Sequence, residues 1–201
     1  MKSRGVLLVV SGPAGVGKGT VCKQFLKDNR DVKLSVSATT RSPRPGEENG
    51  REYYFLTKEE FEDKIKADEL LEYVCFVGNY YGTLKSAVEE KLAAGIDVLL
   101  EIEVEGAMNV KKKFPDSVLV FVLPPSFTEL ADRLRGRGTE TEEVVERRLK
   151  RAREEFECVK HYDYILLNDS VERAALKLEG IIEAEKLKVI RNKQLIEEAQ
   201  K

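Results

Sequence analysis

The sequence of 201 residues has the length of one compact domain; 42% of its residues are hydrophobic and 35% are charged, as in an ordinary globular protein. Its formal net charge of −2 gives no general reason to expect nucleic acid or an anionic membrane as a partner. The apolar run at residues 6–10 is too short for a signal-peptide core, and no later segment approaches a membrane span. We therefore expect a soluble, cytoplasmic protein with three reduced cysteines, Cys22, Cys75 and Cys158.

The first part of the chain predicts a strand, a glycine-rich turn and a helix. The β-branched and Leu residues from Val6 to Val10 predict a strand buried on both faces of a parallel sheet, and a helical pattern covers about Lys18–Asp28. From Leu34 to Tyr81 the sequence is polar and rich in loops, with short aromatic strands. Thr57 and Glu60 form a capping box that starts a helix there. An insertion of this kind predicts a small subdomain rather than core.

Strands and helices then alternate to the end of the chain. We predict a helix at 84–94, a strand at 98–102, a helix at 106–113, a strand at 117–123, a helix begun by Ser126 and Glu129, a charged helix at 142–160, a strand at 164–167 and a C-terminal helix capped by Ser170. This alternation predicts an α/β fold, in which a parallel sheet is covered by helices on both faces.

The turn after the first strand has the spacing of a phosphate-binding loop, or P-loop. It consists of Gly12, Pro13, Ala14, Gly15, Val16, Gly17, Lys18, Gly19 and Thr20. The motif requires a strand before it and a helix after it, and both are predicted here. Its backbone N–H groups and the helix N-terminus can hold phosphate oxygens, while the lysine reaches the transferring phosphates. The sequence therefore predicts a P-loop NTPase core.

Gly19 departs from the usual P-loop pattern. A Ser or Thr normally follows the lysine, and its hydroxyl ligates Mg²⁺. Because Mg²⁺ gives up water reluctantly, we expect the ion to be held through waters and carboxylates here. The missing hydroxyl also argues against a small GTPase.

Three further segments resemble the guanylate kinase family. Residues 37–53, SATTRSPRPGEENGREY, are similar to its GMP-binding motif, residues 78–83, GNYYGT, to a second GMP-binding segment, and residues 135–142, RGRGTETE, to its lid. A P-loop with Gly after Lys also occurs in that family. The similarity extends from Leu7 to about Ser170 and implies an ATP:GMP phosphotransferase of purine nucleotide metabolism that also accepts dGMP and uses Mg²⁺ with ATP.

The resemblance also implies how the chain is divided. It indicates a single guanylate-kinase-like domain over residues 1–201, with its core at 1–35, 84–125 and 160–201. The GMP-binding subdomain would cover residues 36–83 and the helical lid region residues 126–159.

The residues assigned to the phosphate of GMP are Arg41, Arg44, Tyr53 and Tyr81. The two arginines lie three positions apart on a proline-pinned stretch, where two planar guanidiniums can clamp one phosphate. The resemblance adds the two tyrosine hydroxyls. The alternative is a solvated basic loop beside core tyrosines.

The guanine base presents two adjacent donors, which match a carboxylate, and an acceptor at O6, which matches a hydroxyl. The resemblance places Glu72 and Glu103 at the donors, Ser37 at O6 and Thr83 near the base. Adenine would leave a buried carboxylate unpaired. Family members commonly carry Asp where this chain has Glu103, whose carboxylate reaches about one bond length further.

The remaining assignments concern ATP and the transfer step. By the family pattern Lys18, Arg41, Arg135 and Arg148 are catalytic, and Arg133 and Arg137 lie near phosphate. Asn168 is expected near the adenine of ATP, and Glu101, at the end of a strand, in the water shell of Mg²⁺. The alternative for the arginines is pairing with glutamates along a charged helix.

Two other functions compete with this interpretation. Guanylate-kinase-like modules of scaffold proteins bind protein ligands, but they usually have a degraded P-loop, whereas Lys18 and the glycines are intact here. A kinase for another nucleoside monophosphate is disfavoured by Glu72, Ser37 and the paired tyrosines. Nucleotide binding separates the first alternative from a kinase, and a panel of acceptor bases separates the second. The oligomeric state stays open.

Overall fold

The computed structural model describes residues 4–136 and 141–201, apart from the side chain of Gln194. The strands are β1 (Leu7–Ser11), β2 (Lys33–Leu34), β3 (Ala38–Thr39), β4 (Tyr54–Phe55), β5 (Leu70–Phe76), β6 (Asn79–Leu84), β7 (Val98–Glu101), β8 (Val118–Leu123) and β9 (Tyr164–Leu167). The α-helices are α1 (Lys18–Asp28), α2 (Lys58–Lys66), α3 (Lys85–Ala93), α4 (Val104–Lys113), α5 (Phe127–Arg135), α6 (Glu142–Phe156), α7 (Val171–Lys186) and α8 (Lys193–Ala199). Short 3₁₀-helices cover Glu157–His161 and Val189–Arg191.

The central sheet has the strand order β2-β7-β1-β8-β9, and its paired strands are parallel. Alternate side chains of β1 enter two separate cores. Leu8 and Val10 pack with residues of α1, α5, α6 and α7, whereas Leu7 and Val9 pack with residues of α3 and α4. Helices therefore cover both faces, which explains why every residue of β1 is buried. The predicted α/β fold is confirmed.

The strand register brings the functional segments to one edge of this sheet. Val10 of β1 lies opposite Glu101 of β7, and Ser11 lies opposite Phe121 of β8. Parallel strands present their carboxyl ends on the same side, where α/β sheets bind ligands. The loop that follows Ser11 and the carboxylate of Glu101 are consequently neighbours.

A second sheet is formed by strands between Ala38 and Leu84, in the order β4-β3-β6-β5. Its longest pairing, β5 with β6, is antiparallel, and its small core contains Ala38, Phe61 and Leu70. The predicted capping box at the start of α2 is confirmed: the backbone N–H of Glu60 donates to Thr57 Oγ1 at 3.1 Å, and that of Thr57 donates to Glu60 Oε2 at 2.7 Å.

The predicted helix at 142–160 is wrong at its C-terminal end. Helix α6 ends at Phe156, and the 3₁₀-helix Glu157–His161 replaces its last turn. The rings of Phe156 and Tyr162 both pack on Phe121, with centroids 5.9 Å and 4.9 Å away. The tighter turn leads the chain from α6 into β9 between these two contacts.

Helix α8 was not predicted. Its described side chains, including Leu195 and Ile196, are all exposed, so this short helix has no buried face. Within residues 4–136 and 141–201, none of the helices is long and apolar enough to cross a membrane. All three cysteines are free, and burial raises the pKa of Cys22 to about 12.

The hairpin between β5 and β6 turns through Val77 and Gly78, flanked by the paired residues Phe76 and Asn79. Their φ angles of 48° and 76° are both positive, as in a type I′ turn, where Asn-Gly is preferred. A β-branched residue is strained at positive φ. The Val77 side chain is 81% exposed, so replacing it removes few packing contacts.

We predict that Val77→Asn raises the free energy of unfolding by about 1 kcal/mol, because Asn tolerates the left-handed conformation. Urea denaturation of both proteins measures the change. Gly78→Ala is the matched control and should lower stability, because Ala is strained at positive φ. A Val77→Asn variant no more stable than the parent would contradict this view of the turn.

Candidate active site

A cleft of about 1040 Å³ lies between the carboxyl edge of the central sheet, the second sheet and α6. Thirteen of the residues predicted from the sequence line it: Pro13, Ala14, Gly15, Gly17, Lys18, Gly19, Thr20, Ser37, Glu72, Tyr81, Glu101, Glu103 and Arg148. The structure therefore brings most of the P-loop to one cavity with Ser37, Glu72 and Glu103, which are assigned to guanine.

The P-loop is held in shape by close backbone contacts. Gly12 and Gly17 have φ angles of 148° and 88°, and a Cβ at either position would lie 2.6 Å from Val122 O or from Asn168 Nδ2. Asn168, predicted to lie near adenine, is buried, and its amide donates to Val16 O at 2.7 Å. Its side chain thus positions the loop.

Lys18 is the first residue of α1, and no side chain caps this helix. Its ammonium donates to the carbonyl of Gly12 and, at 3.3 Å, to that of Pro13. The side chain is only 9% exposed and lies 3.8 Å from Glu103 Oε1. A buried cation and an uncapped helix N-terminus at one point make a site for an anion such as phosphate.

Glu101 lies beside Gly19, where the usual motif has a hydroxyl. A Cβ on Gly19 would stand 3.3 Å from Glu101 Oε1, so the glycine leaves room for this carboxylate. Burial raises the pKa of Glu101, against the opposing effect of Lys18. The described part of the chain holds no cluster of three or more His, Cys, Asp or Glu side chains suited to a metal.

Glu72 and Thr83 form a buried pair on the opposite wall. The two residues are cross-strand partners on β5 and β6, and Thr83 Oγ1 donates to Glu72 Oε1 at 2.7 Å. A Cβ on Gly106 would lie 3.3 Å from Glu72 Oε2. Burial raises the pKa of Glu72, and the hydrogen bond from Thr83 opposes this rise.

Arg41 lies with the predicted tyrosines but does not line the cleft. Its guanidinium donates to both carboxylate oxygens of Glu47, at 3.0 and 2.9 Å, and stands 5.4 Å from the ring centre of Tyr53. The rings of Tyr53 and Tyr81 meet edge to face at 6.1 Å. The backbone N–H of Arg44 donates to Glu47 Oε2 at 2.8 Å, so Glu47, which the sequence analysis missed, organises this loop.

The predicted lid arginines are not gathered at one point. Arg133 lies at the P-loop, where its guanidinium donates to Val16 O at 3.4 Å and to Asn168 O at 3.3 Å. Arg135 pairs with Glu142 at 2.6 Å and lines a separate cavity on the outer face of α6. Arg137 lies outside the described residues.

Comparison with known proteins agrees with this geometry. Residues 4–185 match the family model described as guanylate kinase. The chain is 53% identical over 193 residues to the guanylate kinase of Clostridioides difficile strain 630, covering 96% of this chain and 94% of the relative. It is 52% identical over 190 residues to that of Desulfitobacterium hafniense strain Y51, covering 94% and 95%. The chain belongs to the guanylate kinase family.

A solved structure agrees as well. The crystal structure of guanylate kinase from Anaplasma phagocytophilum matches with a TM-score of 0.71 at 34% identity, covering 94% of this chain and 90% of that chain. The predicted family is therefore confirmed over nearly the whole length, and the part of the chain that matches the guanylate kinase model contains all residues of the cleft.

In this guanylate kinase family member, Glu103 and Glu72 are both assigned to the guanine donors from the sequence, but their surroundings differ. It is the residue that precedes α4 and its side chain is 57% exposed. Its carboxylate lies 3.8 Å from Lys18 Nζ, so in this conformation it is a counter-ion of the P-loop lysine.

Several cleft residues were not found from the sequence. They are Tyr73, Val74, Phe76, Gly82, Ile102, Glu105, Gly106, Asn109, Arg151 and Glu155. Arg151 and Glu155 could have been found from helical spacing, since they follow Arg148 by three and seven positions on one edge of α6. The hairpin residues carry no such signal, because their exposure to a cleft depends on how the two sheets are arranged.

The burial of Glu72 predicts a pH-dependent effect on stability. Its pKa is raised in the folded protein, so its stability contribution is present at low pH and is lost as pH rises through the folded pKa. We predict that Glu72→Gln raises the unfolding free energy at pH 7 by about 0.5–2 kcal/mol. The gain should shrink as the pH falls toward 4. Thermal unfolding of both proteins across this pH range measures the gain. A gain independent of pH would contradict the raised pKa of Glu72.

Proposed function

We propose that this chain transfers the γ-phosphoryl group of ATP to GMP, giving ADP and GDP, and that it also accepts dGMP. The observation that supports this most strongly is that Lys18 of the P-loop and Glu72, which accepts a hydrogen bond from the buried Thr83, line the same cleft. Identity above 50% to curated guanylate kinases supports the same activity.

The P-loop side of the cleft is proposed to bind ATP. The phosphates would replace the Gly12 and Pro13 carbonyls and the Glu103 carboxylate as partners of Lys18. Phosphate oxygens are better partners for an ammonium than neutral carbonyls are. Backbone N–H groups at the start of α1 would hold the remaining oxygens.

The opposite side is proposed to bind GMP or dGMP. The Glu72 carboxylate, fixed by Thr83, would accept from N1–H and the 2-amino group of guanine, and Ser37 would contact O6. Arg41, Arg44, Tyr53 and Tyr81 would hold the phosphate. These assignments concern base and phosphate and none uses the ribose 2′-hydroxyl, which is why dGMP is included.

The transfer step requires positioning and charge neutralisation rather than a protein base. A phosphate oxygen of GMP attacks the γ-phosphorus of ATP, the bond to the β–γ bridging oxygen breaks, and ADP leaves with that oxygen. Lys18 and Arg148 line the cleft and are proposed to stabilise the charge spread over the transferring oxygens. Arg135 would have to leave Glu142 to join them.

Mg²⁺ is proposed to accompany ATP. The donor set fits an ion that keeps most of its waters, because Glu101 supplies one carboxylate beside Gly19, where the hydroxyl ligand is missing. Glu101 would hold the ion through water. The ion would neutralise charge on the ATP phosphates.

Residues 36–83 are proposed as the GMP-binding subdomain, residues 126–159 as the lid region, and the remainder as the core. A cytoplasmic location is proposed as well, and the three free cysteines are consistent with it.

The activity is tested by measuring ADP formation from ATP and Mg²⁺ with GMP, dGMP, AMP, IMP, CMP or UMP as acceptor. We expect turnover with GMP and dGMP and rates at least about 10⁴-fold lower with AMP, because adenine leaves Glu72 unpaired. Turnover with AMP or a pyrimidine nucleotide would overturn the base assignment. Folded protein with no turnover on any acceptor would favour a binding module.

Two variants accompany this assay. Lys18→Ala and Arg41→Ala should each lower kcat/KM for GMP by about 10²-fold or more, since each removes a cation from a phosphate. Lys23→Ala, also on α1 but outside the residues that line the cleft, is the control and should keep the activity of the parent.

The role of Glu101 is tested through its dependence on the metal. Glu101→Gln should raise the Mg²⁺ concentration needed for half-maximal binding of ADP, measured by calorimetry at several metal concentrations. We expect a change of about tenfold, the lower end of the effect of losing an outer-shell partner. Equal binding of metal-free ADP by both proteins is the control. An unchanged Mg²⁺ dependence would contradict the proposal.

A further inference from the structure

The cleft contains more carboxylates than cations. Among the described residues that line it, the carboxylates are Glu72, Glu101, Glu103, Glu105 and Glu155 and the cations are Lys18, Arg148 and Arg151. Two nucleotides with several phosphate charges must enter this cleft. Each cation that reaches it therefore matters for binding.

Arg151 belongs to a charged edge of α6. Helix α6 buries Val145, Leu149 and Ala152 in the core. The neighbouring edge carries Arg148, Arg151 and Glu155, which all line the cleft, at spacings that place them on one side of a helix. Arg151 thus lies one turn along the helix from Arg148, on the same wall.

The surroundings of Arg151 contain the P-loop lysine and its counter-ion. Arg151 Nε donates to Glu155 Oε1 at 2.9 Å. The pKa of Arg151 is raised first by this hydrogen bond and also by the nearby charges of Glu155, Glu103 and Glu105. The pKa of Glu155 is raised by burial, and Lys18 is among the charges that lower it. Glu103, whose carboxylate lies 3.8 Å from Lys18 Nζ, is therefore near the Arg151–Glu155 pair.

We propose that Arg151 is a phosphate-binding residue of this site, and that Glu155 holds its guanidinium in place until a nucleotide phosphate takes over. The proposal rests on the function proposed above. The Arg151 side chain is 61% exposed, whereas that of Glu155 is 10% exposed. The guanidinium is therefore open to the cleft while its partner is fixed in the wall. Glu155 accepts from Nε of the planar guanidinium fork, and the terminal N–H groups of that guanidinium have a geometry that matches phosphate oxygens.

The position of Arg151 indicates which phosphates it meets. Glu103, next to Lys18, precedes α4, and a Cβ on Gly106 of the same helix would lie 3.3 Å from Glu72 Oε2. Because Arg151 lines the cleft and lies near Glu103, we place it between the P-loop and the proposed guanine site. Arg151 would there contact the phosphoryl group as it passes between the two nucleotides.

The test compares Arg151→Ala, Arg151→Lys and Glu155→Gln with the parent. Kinetics with ATP and GMP and calorimetric binding of ADP are measured for each. Arg151→Ala should lower kcat/KM by about ten- to hundredfold, the effect of losing one hydrogen bond to a charged group. Arg151→Lys should lose less, because charge persists without the fork. Glu155→Gln should bind ADP as tightly as the parent or more tightly, because no carboxylate then competes for Arg151.

If Arg151 binds phosphate, Arg151→Ala should lose activity, whereas Glu155→Gln should keep parental or tighter ADP binding. If the pair merely stabilises α6, Arg151→Ala and Glu155→Gln should change activity and ADP affinity in the same direction, which would overturn the proposal. Arg151→Ala with kcat/KM within twofold of the parent would overturn it too. If Arg151→Ala does not fold, the proposal is overturned when Arg151→Lys keeps parental kcat/KM or when Glu155→Gln weakens ADP binding.

The matched control is Arg147→Ala, which removes an arginine from the outer face of the same helix. It should retain parental kcat/KM, because Arg147 lines the separate cavity. Failure of the underlying function is seen separately in the parent, which would then form no ADP with GMP. A parent that is active, with an Arg151→Ala variant equally active, contradicts only the role of Arg151.

Discussion

Lys18, Arg41 and Arg151 are each held by oxygen atoms of the chain itself, and a phosphate must compete with those oxygens to bind. Lys18 meets the Gly12 and Pro13 carbonyls and Glu103, Arg41 meets Glu47, and Arg151 meets Glu155. For Lys18, whose side chain is only 9% exposed, such pairing avoids an uncompensated buried charge. Under the proposed function, phosphate binding would exchange these oxygen partners for phosphate oxygens.

The fold makes room for the carboxylates through two glycines. Gly19 faces Glu101, and Gly106 faces Glu72; a Cβ at either position would come within 3.3 Å of a carboxylate oxygen. The strand register places the two carboxylates: Glu101 ends β7 beside β1, and Glu72 pairs with Thr83 across β5 and β6. Gly19 lacks the hydroxyl of the usual P-loop, and the carboxylate of Glu101 from the neighbouring strand β7 stands close to where that hydroxyl would be.

Elements with a local signal could be predicted from the sequence. Helix α1, strand β9 and the Thr57–Glu60 capping box follow from periodicity and capping, and the P-loop from its spacing. The end of α6 could not be predicted, because the packing of Phe156 and Tyr162 on Phe121 decides it. Pairings such as Arg41 with Glu47, Lys18 with Glu103 and Arg135 with Glu142 likewise depend on side-chain placement, which residue types alone do not specify.

The most direct test is a crystal structure of the protein with GMP, ADP and Mg²⁺ bound. The account predicts guanine donors on the Glu72 carboxylate, and guanidinium groups of Arg41 and Arg151 that have left Glu47 and Glu155 for phosphate oxygens about 2.7–2.9 Å away. A complex in which guanine lies away from Glu72, with both arginines still on their carboxylates, would contradict it.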